Sequence, residues 1–185
     1  VLVYGHNTAY RANVSISDSI LEYSSGNALF VERATPLVHN TIFRNNSGYA
    51  IQLLPDLGNI EFSGSNVAEN NGQNGILANK TSIGCGSCGN INTNRTWYND
   101  IPYIISDGQG SSESIEAVLT LEPGTIVKFN PGRQQVVHNT LFAEGTLEEP
   151  IYFTSIKDDA AGFESHPEWF DEDGNCIPGK ACDTN

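Results

Sequence analysis

Apolar positions along this chain fall in short clusters parted by Asn, Ser, Gly and Asp, and one arrangement of them repeats. The stretch Ile20-Leu21-Glu22-Tyr23-Ser24-Ser25-Gly26-Asn27-Ala28-Leu29 returns 22 residues later as Ile42-Phe43-Arg44-Asn45-Asn46-Ser47-Gly48-Tyr49-Ala50-Ile51. It returns again, more loosely, 25 residues on as Val67-Ala68-Glu69-Asn70-Asn71-Gly72-Gln73-Asn74-Gly75-Ile76. Each copy holds a short apolar run, a polar corner and a second short apolar run. A fixed period in the twenties marks a solenoid, whose repeats bury their apolar faces against their neighbours.

No window of 11 or more residues carries apolar residues at the helical period. Strand patterns are frequent and short: Val14-Ser15-Ile16, Ser19-Ile20-Leu21, Leu29-Phe30-Val31, Thr41-Ile42-Phe43, Ala50-Ile51-Gln52-Leu53 and Asn59-Ile60-Glu61-Phe62. Alternation places Val14, Ile16, Ile20, Ile42, Ile51, Leu53, Ile60 and Phe62 inward. The loops lack the Asn-Gly or Asp-Gly pairs, flanked by alternation on both sides, that tight hairpins use. Stacked coils solve the pairing differently, each strand bonding its equivalent in the next coil about 4.8 Å along the axis. A coil of 22–25 residues suits three strands and three corners, with corner Asn residues hydrogen-bonded up and down the stack. The pattern predicts an all-β parallel β-helix.

The periodicity lapses where Gly, Cys and Asn dominate, then resumes. Four segments result: coils over 1–84, a Cys/Gly/Asn-rich junction over 85–98, further coils over 99–160 and a long acidic loop over 161–185. In the third segment strands are predicted at Tyr103-Ile104-Ile105, Ala117-Val118-Leu119-Thr120-Leu121, Thr125-Ile126-Val127-Lys128-Phe129, Thr140-Leu141-Phe142-Ala143 and Ile151-Tyr152-Phe153-Thr154.

Residues 97–160 resemble the opening of a right-handed parallel β-helix module of secreted and cell-surface prokaryotic proteins. The likeness rests on Trp97 with Pro102-Tyr103-Ile104, on Leu119-Thr120-Leu121-Glu122-Pro123-Gly124-Thr125-Ile126-Val127-Lys128-Phe129, and on Glu144-Gly145-Thr146-Leu147-Glu148-Glu149-Pro150-Ile151-Tyr152-Phe153-Thr154-Ser155, closed by Lys157-Asp158-Asp159. The earlier coils are similar to later coils of such a module. Late coils therefore precede a module start, and neither end carries an evident cap. Membership of a longer tandem array, or end-to-end stacking on another copy, is the expectation, because solenoids need closed ends.

Charge narrows the function. Nine Lys and Arg face 22 Asp and Glu, a formal net charge of -13. Nucleic acid and anionic membranes both call for a basic footprint, so neither is an expected partner. No apolar stretch approaches the roughly 18 residues of a membrane-spanning segment, so no membrane insertion is expected. Scarce Lys, absent Met and abundant Asn, Gly, Ser and Thr suit an extracellular or cell-surface β-protein. Cys85, Cys88, Cys176 and Cys182 allow three disulfide pairings. The first pair has zinc-ribbon spacing and the second does not, which favours disulfides over zinc.

The candidate metal site is the acidic tail. Asp158, Asp159, Asp171, Asp173, Asn175 and Asp183 are the expected calcium ligands, because Asp-x-Asp-Gly-Asn sets carboxylates and an amide on one tight turn. The distal bidentate Glu of an EF-hand is missing, and a solvated loop stapled by Cys176 and Cys182 fits the same residues. No organic cofactor is implied. Asn13, Asn45, Asn79 and Asn94 open N-glycosylation sequons. His6, His39 and His138 each precede Asn-Thr, at spacings of 33 and 99 that do not match the coil, which suggests corner or surface positions. Tyr49, Trp97, Tyr98, Tyr103 and Trp169 are of the type that stacks on sugars, and equally of the type that packs or caps a solenoid.

Polysaccharide lyases and polygalacturonase-like hydrolases share the β-helix. No Arg or Lys here sits in a lyase motif, Gly5-His6-Asn7 breaks the Gly-His-Gly turn of the hydrolases, and no matching Asp pair lies on the regular coils. No catalytic residue is expected. The sequence reads as a rigid structural unit that assembles with copies of itself or neighbouring modules into a filament, surface layer or adhesin stalk. A carbohydrate-active β-helix that meets surface glycans is the alternative.

Overall fold

The three repeat copies stack in the register that their spacing predicts. Ile20 lies beside Ile42 and Ile42 beside Val67, while Leu29 lies beside Ile51 and Ile51 beside Ile76. The structure is a computed structural model that describes residues 1–5, 12–54, 59–78, 91, 93–106, 113–158 and 161. Its first strands are β1 (Leu2–Tyr4), β2 (Ser15–Ser17), β3 (Ile20–Glu22), β4 (Leu29–Glu32), β5 (Leu37–His39), β6 (Ile42–Arg44), β7 (Tyr49–Leu53), β8 (Glu61–Ser63), β9 (Val67–Glu69) and β10 (Gln73–Ala78). They continue as β11 (Arg95–Trp97), β12 (Tyr103–Ile105), β13 (Glu113–Ile115), β14 (Val118–Leu121), β15 (Ile126–Phe129), β16 (Gln135–Val137), β17 (Thr140–Ala143) and β18 (Tyr152–Ser155).

The strands form a parallel β-solenoid of about five turns, without a helix among the described residues. One seven-stranded sheet, β1-β4-β7-β10-β12-β15-β18, runs along the whole body and crosses the junction through the pairing of β10 with β12. The other faces are shorter. Sheets β2-β5-β8 and β3-β6-β9 serve the early coils, and β11-β14-β17 and β13-β16 serve the later ones. Strand β11 falls at the end of the segment read as a junction.

Strands of three to six residues suffice because each needs only one to three inward side chains. Along the long sheet Leu29, Ile51, Ile76, Tyr103 and Val127 form one inward column, all at most 1 % exposed. Val3, Val31 and Leu53 form a second. Parallel pairing in register lines up like residues, so each aliphatic side chain rests on those above and below it.

Two inward assignments are corrected. Ile20 is 51 % exposed and Ile42 is only partly buried; their neighbours Leu21, Phe43 and Ala68 form the inward column instead. The cause is the corner that precedes them. Asp18, Asn40 and Gly64 have φ values of 48°, 45° and 71°. A residue in the left-handed region turns the chain and resets the two-residue alternation, so the phase of β2 does not carry into β3. A second left-handed corner stacks at Tyr23, Asn45 and Asn70, with φ of 57°, 55° and 52°.

Candidate functional site

Early corners are tied by amides that reach between coils. Asn71 accepts from the Asn46 backbone N–H (3.1 Å) and Nδ2 (2.8 Å), and donates to the Phe43 carbonyl (2.9 Å). Asn46 in turn accepts from the Ser24 N–H (2.9 Å), and Asn27 from the Tyr49 N–H (2.8 Å). The expected hydrogen bonding of corner Asn residues along the stack is present. Later corners use another device. Glu122-Pro123-Gly124-Thr125 and Asn130-Pro131-Gly132-Arg133 are turns closed by N–H···O bonds of 3.1 and 3.0 Å between first and last residues. Gly124 and Gly132 supply the φ of 82° and 75° that type II turns require after Pro.

Where the two corner types meet, the outer wall opens. The segments running through and just past β8 and β11 come together: Phe62 meets Tyr98 edge-on at 5.9 Å, and Asp100 accepts from the Asn66 N–H and Nδ2 at 3.0 and 3.1 Å. No strand pairing joins them. The result is a cleft of about 340 Å³ lined by Asn59, Glu61, Asn94, Arg95, Thr96, Tyr98, Val118 and Thr120. Thr96 and Thr120 are register partners on β11 and β14, between the inward pairs Arg95–Leu119 and Trp97–Leu121. The Oδ1 of Asn59 is buried there without a hydrogen-bond partner. Burial raises the Tyr98 phenol above its ordinary range, and the charges of Glu61, Glu122 and Asp100 push it the same way. Burial, followed by Asp100, likewise raises the Glu122 carboxyl. The surroundings of Tyr98 are therefore rich in negative charge.

The other aromatic candidates divide. Trp97 and Tyr103 stack inside the solenoid at 4.2 Å, 6° from parallel, and act as core. The Tyr103 phenol accepts from the Tyr98 N–H at 3.2 Å, and its complete burial raises its pKa. Tyr49 is half-buried beside Ser106, and Trp169 lies outside the described residues. Sequence reasoning marked Tyr98 and missed Asn59, Glu61, Thr96 and Thr120. Each is an ordinary polar strand or corner residue, and only the stacking of coils brings them to one place.

Of the expected calcium ligands only Asp158 is described. Its Oδ2 accepts from Thr154 Oγ1 and its Oδ1 from the Ala161 N–H, while its carbonyl accepts from the fully buried Lys128 ammonium at 2.7 Å. It thus clasps the turn after β18 onto the long sheet. Asp159, Asp171, Asp173, Asn175 and Asp183 lie outside the described residues, as do Cys85, Cys88, Cys176, Cys182, Asn79 and His6. Among the described residues no three His, Cys, Asp or Glu side chains converge as a metal site would need. Asn13 and Asn94 are exposed and Asn45 is half-buried in its left-handed corner. The Oδ1 of Asn94 accepts from the Val118 N–H. His39 bonds Ser63 and Asn40 on the surface, and His138 is exposed.

The solenoid's ends are apolar. Towards the C-terminal coil a cavity of about 360 Å³ opens among Trp97, Leu121, Val127, Val137, Leu141 and Phe153. Val137, Phe142, Tyr152 and Phe153 are 41–52 % exposed around that coil. At the opposite end Val1, Leu2, Tyr4 and Ile20 are exposed. β16, β17 and β18 each form the last strand of a sheet, and β1, β2 and β3 each the first. Comparison with protein-family models, curated proteins and solved structures yields no match for this chain.

Proposed function

We propose that this chain is a rigid structural unit of an extracellular or cell-surface protein that stacks coil upon coil against a second copy or a neighbouring β-solenoid unit. The observation that carries the reading lies on the first and last described coils. Each presents three parallel edge strands beside exposed apolar side chains, the combination that recruits another strand. The two ends differ, so the contact between copies is head to tail and grows an open filament instead of a closed dimer. The acidic, Asn- and Thr-rich composition supports an extracellular setting.

The free edge offers a clean test. The Tyr152 N–H bonds the Thr125 carbonyl and the Ile156 N–H bonds the Phe129 carbonyl, so alternation turns the Phe153 N–H outward. A charge at the exposed Phe153 blocks an incoming strand and leaves the internal ladder intact. Electron microscopy and sedimentation of the full chain are expected to show filaments that Phe153→Lys abolishes, with its melting temperature held within a few degrees. A wild-type chain that stays monomeric at high concentration, or filaments unchanged by Phe153→Lys, overturns the proposal.

A further inference from the structure

The cleft between β8 and β11 has no part in stacking at the ends. We infer that it binds a neutral sugar residue of a glycan chain. It exists because β8 and β11 are held by contacts of the residues in and just after them, Phe62 with Tyr98 and Asn66 with Asp100, and by no ladder, which leaves a gap in the wall between coils. Its volume, about 340 Å³, lies within the range of small-ligand sites.

The lining suits a polyol. Asn59 forms part of the wall, and its buried Oδ1 has no hydrogen-bond partner. The Glu61 carboxylate is an exposed acceptor on the same wall. Thr96 and Thr120 add hydroxyls that donate and accept, one coil apart. Tyr98 adds an aromatic ring with a polar tip. A sugar offers this set both C–H surface for the ring and hydroxyls that donate and accept in turn. Charge selects among sugars: Glu61, Asp100 and Glu122 all act on Tyr98, while Arg95, the one cation in the lining, is buried beside the inward Leu119, so a uronic acid or sulfated sugar meets net repulsion.

The full chain, produced in a host without N-glycosylation so that Asn94 at the cleft edge carries no sugar of its own, is titrated calorimetrically with neutral and with uronic-acid oligosaccharides. Saturable binding of a neutral oligosaccharide is expected, weakened at least about tenfold by Glu61→Ala and by Thr120→Val. Both side chains point outward, so both variants are expected to melt with the wild type. No neutral binding, equal binding by both variants, or preference for uronates overturns the inference. Filament formation by the same variants is read in parallel, and its persistence separates this site from the stacking ends.

Discussion

The two halves of this solenoid turn their corners by different chemistry. Early coils place Asp18, Asn40, Tyr23, Asn45 and Asn70 in the left-handed region and tie neighbouring coils through buried Asn46, Asn66 and Asn71. Later coils turn through Pro-Gly pairs whose closing bond stays within the turn. A buried amide that bridges coils both shapes its corner and couples it to the next, whereas a type II turn closes on itself and meets its neighbours through separate bonds, as Gly124 N–H does with the Glu149 carbonyl and Asn99 Nδ2 with the Pro123 carbonyl. The long sheet and the inward stacks are common to both halves. The polar wall opens into a cleft where one device gives way to the other.

Substitutions test that contrast. The largest effect is expected from Phe43→Ala, in a fully buried inward stack, at about 4 kcal/mol; Phe153→Ala, 52 % exposed on the last coil, is expected to cost about 1 kcal/mol. Denaturant unfolding measures both, and equal losses would mean that the two ends are packed alike. Next comes Asn71→Ala, which strands the Asn46 N–H and the Phe43 carbonyl in the interior and is expected to cost about 3 kcal/mol. Asn139→Ala, an exposed amide bonded to the Glu116 carbonyl, is expected to cost under about 1 kcal/mol. If the two Asn losses match, inter-coil amides are not what distinguishes the early half.

At the junction a Cβ on Gly75 would lie 2.3 Å from Ile104 Cδ1. Gly75→Ala is therefore expected to cost about 2 kcal/mol, with part recovered in the double variant carrying Ile104→Val, which deletes that methyl. Additive losses would show that the clash is with backbone. The smallest effect is a gain. Tyr23 occupies the corner that Asn45 and Asn70 fill in the next two coils, at φ 57° and 76 % exposed. Tyr23→Asn is expected to add about 1 kcal/mol, since Asn tolerates this conformation better than Tyr. A loss would mean that the exposed ring has a packing role.

Much of the fold was legible. The 22- and 25-residue spacings gave the register of β3, β6 and β9 and of β4, β7 and β10, save at the start of β10, where a register shift pairs Gln73 with Tyr49. Strands β12 and β17 fall where their apolar runs predicted. The misplaced inward residues, Ile20 and Ile42, sit just past left-handed corners. Alternation is a local rule, and a corner interrupts it without leaving a fixed mark: Asp18 and Asn40 hint at one, and Tyr23 does not. The cleft was legible only through Tyr98, because Glu61 and Thr120 are nearly 60 residues apart and meet through a gap in strand pairing.

By itself the sequence determined the stacking period, because parallel coils in register demand like residues at like intervals and the repeat supplies them. It also determined the corner chemistry, because Asn and Pro-Gly carry their backbone preferences wherever they stand. Only the tertiary structure decided which side of each short strand faces in, that one sheet carries through both halves, and where the wall opens. Those outcomes depend on how each coil sits on the last, and inter-coil packing brings together residues that local pattern cannot relate.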